Sequence, residues 1–226
     1  MDHPLDKPFW SALVGVQANL ASGSGRARRY LPDVSAIGGV ADASDGALAD
    51  LAKLVPKDGA LTVPQAFAIG CPAGATQEVM MAWQLLDSND GPQATPSAEI
   101  LPLSEPDWPA MMALATLTQP GPFMLRTPLM GHYWGVKRDG VLIAMAGERM
   151  RLEDYVEISA ICTHPDYRGA GLGTALCLHV RDAIRARGQT PFLHAYQSNT
   201  GAIQLYESLG FVKRTEIYAN HFSAAD

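Results

Sequence analysis

The sequence predicts an α/β (α+β) fold, because strand-like and helix-like segments follow one another along the chain. A run of β-branched and apolar residues at 154–163 leads into a glycine-rich turn and then into residues at helical spacing. A second strand-and-helix pair follows at 191–210. Asp139 and Gly140, between two apolar runs, are typical of a β-hairpin turn. Strands and helices therefore alternate along the C-terminal part of the chain.

The elements can be placed in order from these patterns and from the residues that end them. Asn199 is a favourable helix N-cap, and Gly188 and Gly210 are typical helix stops. The predicted strands are 99–103, 133–137, 141–146, 154–163, 191–196 and 211–218, and the predicted helices are 107–117, 172–187 and 199–209.

The first 95 residues carry weaker signals. Helical patterns occur at 9–20 and 47–55, and 67–70 is predicted to be a short strand. Turn-forming residues at 87–97 mark a boundary. We therefore expect two regions, 1–95 and 96–226.

The glycine-rich turn predicts a phosphate-bearing ligand. Gly169, Gly171 and Gly173 remove side chains from the turn, so that backbone N–H groups can approach an anion. The helix that follows adds unpaired N–H groups and the positive end of its dipole. A P-loop is excluded because no lysine occurs between residues 137 and 213, and a dinucleotide fingerprint is excluded because its third glycine is missing.

Two motifs resemble one known family. Arg168-x-x-Gly171-x-Gly173 is similar to the R/Q-x-x-G-x-G/A loop of the GNAT superfamily of N-acetyltransferases. Residues 199–211 resemble the superfamily's N-x-x-A-x-x-L-Y-x-x-x-G-F signature. The resemblance covers residues 96–226 and implies a GNAT-type, mostly antiparallel, twisted sheet flanked by helices, preceded by a smaller α/β region. A degenerate GNAT-like half is one interpretation of that N-terminal region.

The resemblance implies acetyl-CoA (coenzyme A) as co-substrate and no metal. The N–H of Cys162 is expected to polarise the thioester carbonyl. The residues implied in binding acetyl-CoA are Ile161, Cys162 and Thr163 beside the pantetheine arm, Arg168, Gly169, Ala170, Gly171, Leu172, Gly173 and Thr174 at the pyrophosphate, and Asn199 and Tyr206.

The resemblance also implies two catalytic residues. Glu157 lies eleven residues before Arg168, the offset of the general-base glutamate in well-studied members. Tyr206 matches the tyrosine that protonates the departing CoA thiolate. For Glu157 the alternative is a carboxylate that faces water at the strand edge.

Neighbouring residues on the same strand give further expectations. On an ideal strand Ile158, Ala160 and Cys162 would share the face opposite Glu157. Arg149 is expected at a solvated strand end, with contact to an acceptor carboxylate as the alternative.

The predicted function is transfer of an acetyl group to a primary amine of a small molecule, amino acid or peptide. A catalytically inactive CoA-binding sensor or regulatory module is the main alternative, and the sequence does not separate N-acylation from O-acylation. A covalent intermediate on Cys162 is disfavoured, because a nucleophilic cysteine needs a base and an orienting partner.

Composition narrows the partners and the compartment. A net charge of −6 argues against nucleic acid as a partner. The start of the chain lacks a signal-peptide pattern, and no apolar run approaches membrane-spanning length, so a cytoplasmic protein without a membrane partner is expected. Three separated cysteines indicate no disulfide framework. The sequence leaves the oligomeric state open between monomer and homodimer.

Overall fold

The computed structural model describes residues 3–93 and 99–225. Within these ranges no helix is both long and apolar enough to cross a membrane. The helices are α1 (Pro8–Val14), α2 (Asp45–Ala52), α3 (Trp108–Thr118), α4 (Leu172–Arg185) and α5 (Thr200–Ser208). The strands are β1 (Ala21–Ser22), β2 (Ala27–Tyr30), β3 (Gly38–Val40), β4 (Leu61–Gln65), β5 (Ala75–Asp87), β6 (Leu101–Leu103), β7 (Tyr133–Arg138), β8 (Val141–Arg151), β9 (Tyr155–Thr163), β10 (Thr190–Tyr196) and β11 (Phe211–Ala224).

An eight-stranded sheet in the order β4-β11-β5-β10-β9-β8-β7-β6 forms the centre of the molecule. Every neighbouring pair is antiparallel except β9 and β10, which run parallel. A separate antiparallel sheet contains β1, β2 and β3. The mixed, mostly antiparallel sheet flanked by helices confirms the predicted fold class.

The N-terminal region supplies two strands of the central sheet. β5 lies between β10 and β11, and β4 pairs with the outer side of β11. Regions 1–95 and 96–226 therefore share one sheet. The boundary between them stays a prediction, because residues 94–98 lie outside the described part of the chain.

The prediction of a strand at 67–70 is wrong, because this segment lies between β4 and β5. The sequences of these two strands show only weak strand patterns. Pro64 interrupts the apolar pattern of β4 and is tolerated because β4 is an edge strand. The first half of β5 is mostly exposed and mixes polar with apolar residues, so it lacks a regular apolar alternation.

Helices cover both faces of the central strands. Leu176 and Val180 of α4 pack in one cluster with Ile158 of β9. Met111 of α3 packs in another cluster with Cys162 of β9. β9 is therefore shielded on both faces along most of its length.

A bulge in β9 changes which face its side chains occupy. Ala160 has a φ of +53°, and the pairing with β8 advances three residues along β9 for two along β8. As a result Ile158 packs with α4, whereas Ala160 and Cys162 pack with α3. The expectation that these three residues share a face is therefore wrong, because the extra residue breaks the strand's alternation.

β9 and β10 separate after a short paired segment. They pair only where Tyr155–Glu157 lies beside Thr190–Phe192. Beyond this segment β9 pairs only with β8, and β10 pairs only with β5. A wedge opens between the two strands, and one edge of β9 has no neighbouring strand there.

Candidate active site

A cavity of about 290 Å³ lies where β9 and β10 separate. Four predicted site residues, Glu157, Ile161, Asn199 and Tyr206, line it together. The remaining lining includes Ile37, Thr62 and Pro64 from the N-terminal region, the 119–122 loop, Arg149, Ser159 and Ala160, and His194 and Tyr196 of β10. Both regions of the chain therefore build its wall.

The glycine loop adjoins the end of β9. A Cβ atom added to Gly173 would lie 3.7 Å from Ile161 Cγ2 and 3.8 Å from Thr163 Oγ1. Gly169 and Gly171 have φ values of +81° and +74°, in the left-handed region that favours glycine. An added Cβ at either residue would meet no atom within 4 Å, so the loop surface is open.

The loop presents unpaired backbone donors. The first α-helical hydrogen bond of α4 joins the Ala175 N–H to the Gly171 carbonyl at 3.0 Å. In the described part of the chain, no backbone hydrogen bond uses the N–H groups of residues 169–174. An exposed row of N–H groups at the start of a 14-residue helix fits a pyrophosphate.

The N–H of Cys162 does not face the wedge. His164 donates its N–H to the Ile143 carbonyl of β8 at 2.8 Å. Because N–H directions alternate along a strand, Cys162 also points its N–H at β8. The neighbouring residues Ile161 and Thr163 present theirs to the open edge. The predicted oxyanion contact from Cys162 is therefore corrected.

Glu157 is the centre of a buried ion-pair cluster. Its Oε2 accepts from Arg149 Nε at 2.8 Å, and its Oε1 accepts from Arg149 Nη2 at 2.5 Å and from His194 Nδ1 at 2.7 Å. The Glu157 side chain is fully buried, and that of Arg149 is 14% exposed. Glu157 is thus no water-facing edge carboxylate, and the expected solvated strand end at Arg149 is wrong because the guanidinium is paired and lies over the Phe9 ring of α1.

The cluster keeps Glu157 ionised. Burial by itself acts to raise the pKa of this carboxyl. The charge of Arg149 and the hydrogen bonds from Arg149 and His194 outweigh it and lower the pKa of Glu157 to about 2. At neutral pH the carboxylate therefore carries a full negative charge inside the protein.

A chain of hydrogen bonds fixes the tautomer of His194. Gln84 accepts at Oε1 from Arg214 at 3.0 Å and donates from Nε2 to the Leu5 carbonyl at 3.0 Å. Arginine can only donate and a carbonyl can only accept, so the amide orientation is determined. Gln84 Nε2, 3.1 Å from His194 Nε2, must therefore donate to it. The Nδ1 proton of His194 therefore points toward Glu157, and Nε2 accepts from Gln84.

The cluster makes stability sensitive to acid. Because the pKa of Glu157 is about 2 in the folded protein against an ordinary 4.5, its contribution is present above about pH 4.5 and is lost as pH falls toward 2. We expect roughly 3 kcal/mol of unfolding free energy to be lost over that interval. Urea unfolding at pH 5 and pH 3 covers part of that interval and should show a loss of about 2 kcal/mol. The Glu157→Gln variant should lose correspondingly less, and an equal loss in both proteins would contradict the expectation.

Asn199, the N-cap of α5, and Tyr206 of the same helix also line the cavity. Asn199 Oδ1 caps α5 by accepting from the Ala202 N–H at 3.2 Å, which leaves its amide nitrogen available. The Tyr206 ring packs edge-on against the Phe211 ring, with 6.4 Å between the ring centroids. Burial raises the pKa of Tyr206, so the phenol keeps its proton at neutral pH.

Comparison with known proteins decides the family. The family model described as FR47-like protein matches residues 133–219. The crystal structure of a GNAT-family protein from Novosphingobium aromaticivorans is 38% identical, covers 100% of both chains and has a TM-score of 0.92. This chain belongs to the GNAT family. The resemblance identified from the two motifs is confirmed.

Other GNAT proteins match over shorter or more divergent ranges. The ribosomal protein bS18-alanine N-acetyltransferase of Escherichia coli is 38% identical over 90 residues, which are 39% of this chain and 60% of that enzyme. The chain thus matches less than two thirds of that relative's length. A GCN5-related N-acetyltransferase from Kribbella flavida, at 15% identity and a TM-score of 0.65, shares the fold over 96% of this chain and 94% of its own.

The sequence did not reveal the groups that hold Glu157. Phe9 and Gln84, which contact Arg149 and His194, lie outside the range matched by the GNAT family model. His194 itself lies inside it, two residues after the partner of Glu157 in the β9–β10 pairing. Only the parallel register between these strands, which the sequence does not encode locally, would have indicated the contact.

Proposed function

We propose that this GNAT protein is an acyl-CoA-dependent N-acyltransferase that transfers an acetyl group from acetyl-CoA to a primary amine. The observation that carries the proposal is the shared cavity of Glu157 and Tyr206 at the wedge between β9 and β10, beside the glycine loop. The Escherichia coli relative, named for acetylating an alanine of a ribosomal protein, supports an amine acceptor.

The glycine loop would hold the pyrophosphate of acetyl-CoA. The N–H groups of residues 169–174 and the dipole of α4 supply donors and positive potential without a metal. Arg168, exposed at the edge of the loop, adds a cation. Acetyl-CoA supplies the activated thioester, and Asn199 would donate to the pantetheine arm.

The open edge of β9 would receive the pantetheine arm. Ile161 and Thr163 present backbone groups there. The N–H of Ile161, in place of that of Cys162, is our candidate for polarising the thioester carbonyl. The bulge at Ala160 sets the direction of this group.

Glu157 would orient the acceptor amine and take its proton. An ionised carboxylate has about four acceptor positions, and three are used by Arg149 and His194, so one remains on Oε2. Glu157 is a weak base. However, an amine N–H becomes much more acidic as nitrogen attacks the carbonyl, so the transfer becomes favourable at that stage.

Tyr206 would act as the acid. Its raised pKa keeps the phenol protonated, so that it can donate to the departing thiolate. Tyr206 lines the same cavity as Asn199 and Glu157, which supports this role.

A matched pair of glycines tests the acetyl-CoA site. Gly171→Glu puts a negative charge where the pyrophosphate is proposed to bind, and calorimetry should show acetyl-CoA affinity reduced at least about ten-fold. Gly188→Glu is the control, because Gly188 has a φ of +75° and equally open surroundings but follows the other end of α4. Equal affinities of the two variants would contradict the assignment.

CoA release measured with a thiol reagent separates the enzyme from its alternative. Turnover with amines supports the transferase. Tight acetyl-CoA binding without release of CoA on any amine would favour the inactive sensor module.

A further inference from the structure

A narrow recess beside the acceptor cavity contains an unsatisfied phenol. Residues 120–123, Thr127, Tyr133, Arg149, Ser159 and Ala160 line it. Tyr133 is 3% exposed, and its hydroxyl has no hydrogen-bond partner among the described residues. A buried hydroxyl without a partner costs stability. Thr127 also lines the recess, but its hydroxyl donates to the Val34 carbonyl at 2.7 Å, accepts from the Met124 N–H at 2.7 Å and forms no hydrogen bond with Tyr133.

Two further donors line both the recess and the cavity. Arg149 uses Nε and Nη2 on Glu157, and its Nη1 takes part in none of the hydrogen bonds found within 3–93 and 99–225. Ser159 is half-buried, and its hydroxyl is likewise unpaired within the described ranges. The recess is therefore lined by three side chains, Tyr133, Arg149 and Ser159, that have hydrogen-bond donors unused within the described ranges.

The charge around the recess selects the kind of ligand group. Glu157 already neutralises Arg149, and Gln84 donates to His194 Nε2 while Nδ1 of the same ring faces Glu157. A ligand carboxylate would add an uncompensated negative charge to a buried site. An amide carbonyl accepts the same hydrogen bonds and adds no charge.

We propose that Tyr133, with Arg149 and Ser159, binds the amide carbonyl oxygen of an acceptor whose amine lies beside that amide. The acceptor class is thus an α-amine of a peptide or amino-acid amide. This inference rests on the proposed acetyl transfer and names its acceptor. An α-amine also suits Glu157, which is a weak base. The pKa of an α-amine is about 8 and that of a lysine side chain is about 10.4, so far more of the α-amine is unprotonated at neutral pH.

Tyr133→Phe tests the carbonyl site. Rates are compared for L-alaninamide, for L-alanine with its carboxylate, and for isopropylamine, which lacks the carbonyl. We expect the wild type to have the highest kcat/KM with alaninamide, and Tyr133→Phe to lower this value about ten-fold while changing the isopropylamine value little. A purely structural tyrosine would not change the ratio between acceptors.

Thermal unfolding supplies an independent measurement with a matched control. Tyr133→Phe removes an unpartnered hydroxyl, so its Tm should equal or exceed that of the wild type. Tyr30 is also fully buried, but its hydroxyl donates to Gln17 Oε1 at 2.6 Å, so Tyr30→Phe should lower the Tm by several degrees without changing the amide-to-amine ratio. A Tm loss in Tyr133→Phe as large as in Tyr30→Phe would overturn the proposal.

Failure of this site can be distinguished from failure of acetyl transfer. If acetyl-CoA binds but neither alaninamide nor any free N-terminus in a mixed peptide pool is acetylated, the carbonyl site is refuted and the acetyl-CoA site stands. Preference for alanine over alaninamide, or an unchanged acceptor ratio in Tyr133→Phe, also refutes it. Absence of acetyl-CoA binding to the wild type would instead refute the proposed function.

Discussion

Replacing Arg149 by methionine is expected to destabilise the protein by about 3–5 kcal/mol. Methionine retains much of the aliphatic volume that packs beside Phe9 but removes both hydrogen bonds to Glu157. The fully buried carboxylate then keeps only His194 as a hydrogen-bond partner. Urea unfolding at pH 7 measures the loss.

A double variant separates charge from packing in this prediction. Arg149→Met combined with Glu157→Gln leaves no buried ion, so most of the lost stability should return. Arg126→Met is the surface control, because Arg126 pairs with Asp33 where both side chains are about half exposed, and it should cost less than about 1 kcal/mol. If the single and double variants were equally unstable, packing rather than charge would dominate at Arg149.

The local elements of the site could be predicted from sequence because their signals are short-range. The signals for the left-handed glycines and for the start of α4 all lie within residues 168–174. The helix cap at Asn199 involves only residues 199–202. The strand that carries Glu157 is recognisable from its β-branched and apolar residues. The chain therefore reveals its family and the side of the sheet where ligands are expected.

The surroundings of Glu157 could not be predicted because they depend on pairing between distant segments. Gln84 reaches His194 only because β5 from the N-terminal region is inserted between β10 and β11. Arg149 looked like a strand end because β8 extends five residues past its predicted end at 146. The bulge at Ala160 could not be predicted, because no glycine marks it in the sequence. It moves all later side chains of β9 to the face opposite the one that simple alternation predicts.

Glu157→Gln is expected to lower kcat by about 10²–10⁴-fold while leaving acetyl-CoA affinity unchanged. Glutamine keeps the shape of the side chain but cannot take a proton from the attacking amine, and the proposed pyrophosphate site at 169–174 is untouched. Single-turnover rates at saturating acetyl-CoA, with calorimetric affinity measured in parallel, give both quantities. The folded fraction is checked by circular dichroism, because Arg149 loses its counter-ion in this variant.

Glu148→Gln is the matched control for loss of a buried, ion-paired glutamate. Glu148 is fully buried on β8 and accepts from Arg187 at 2.5 Å, but it does not line the acceptor cavity. Both variants should lose stability, since each leaves an arginine without its partner. Only Glu157→Gln should lose kcat beyond the change in folded fraction. If the two variants lose activity in the same proportion to stability, Glu157 holds the site together rather than moving a proton.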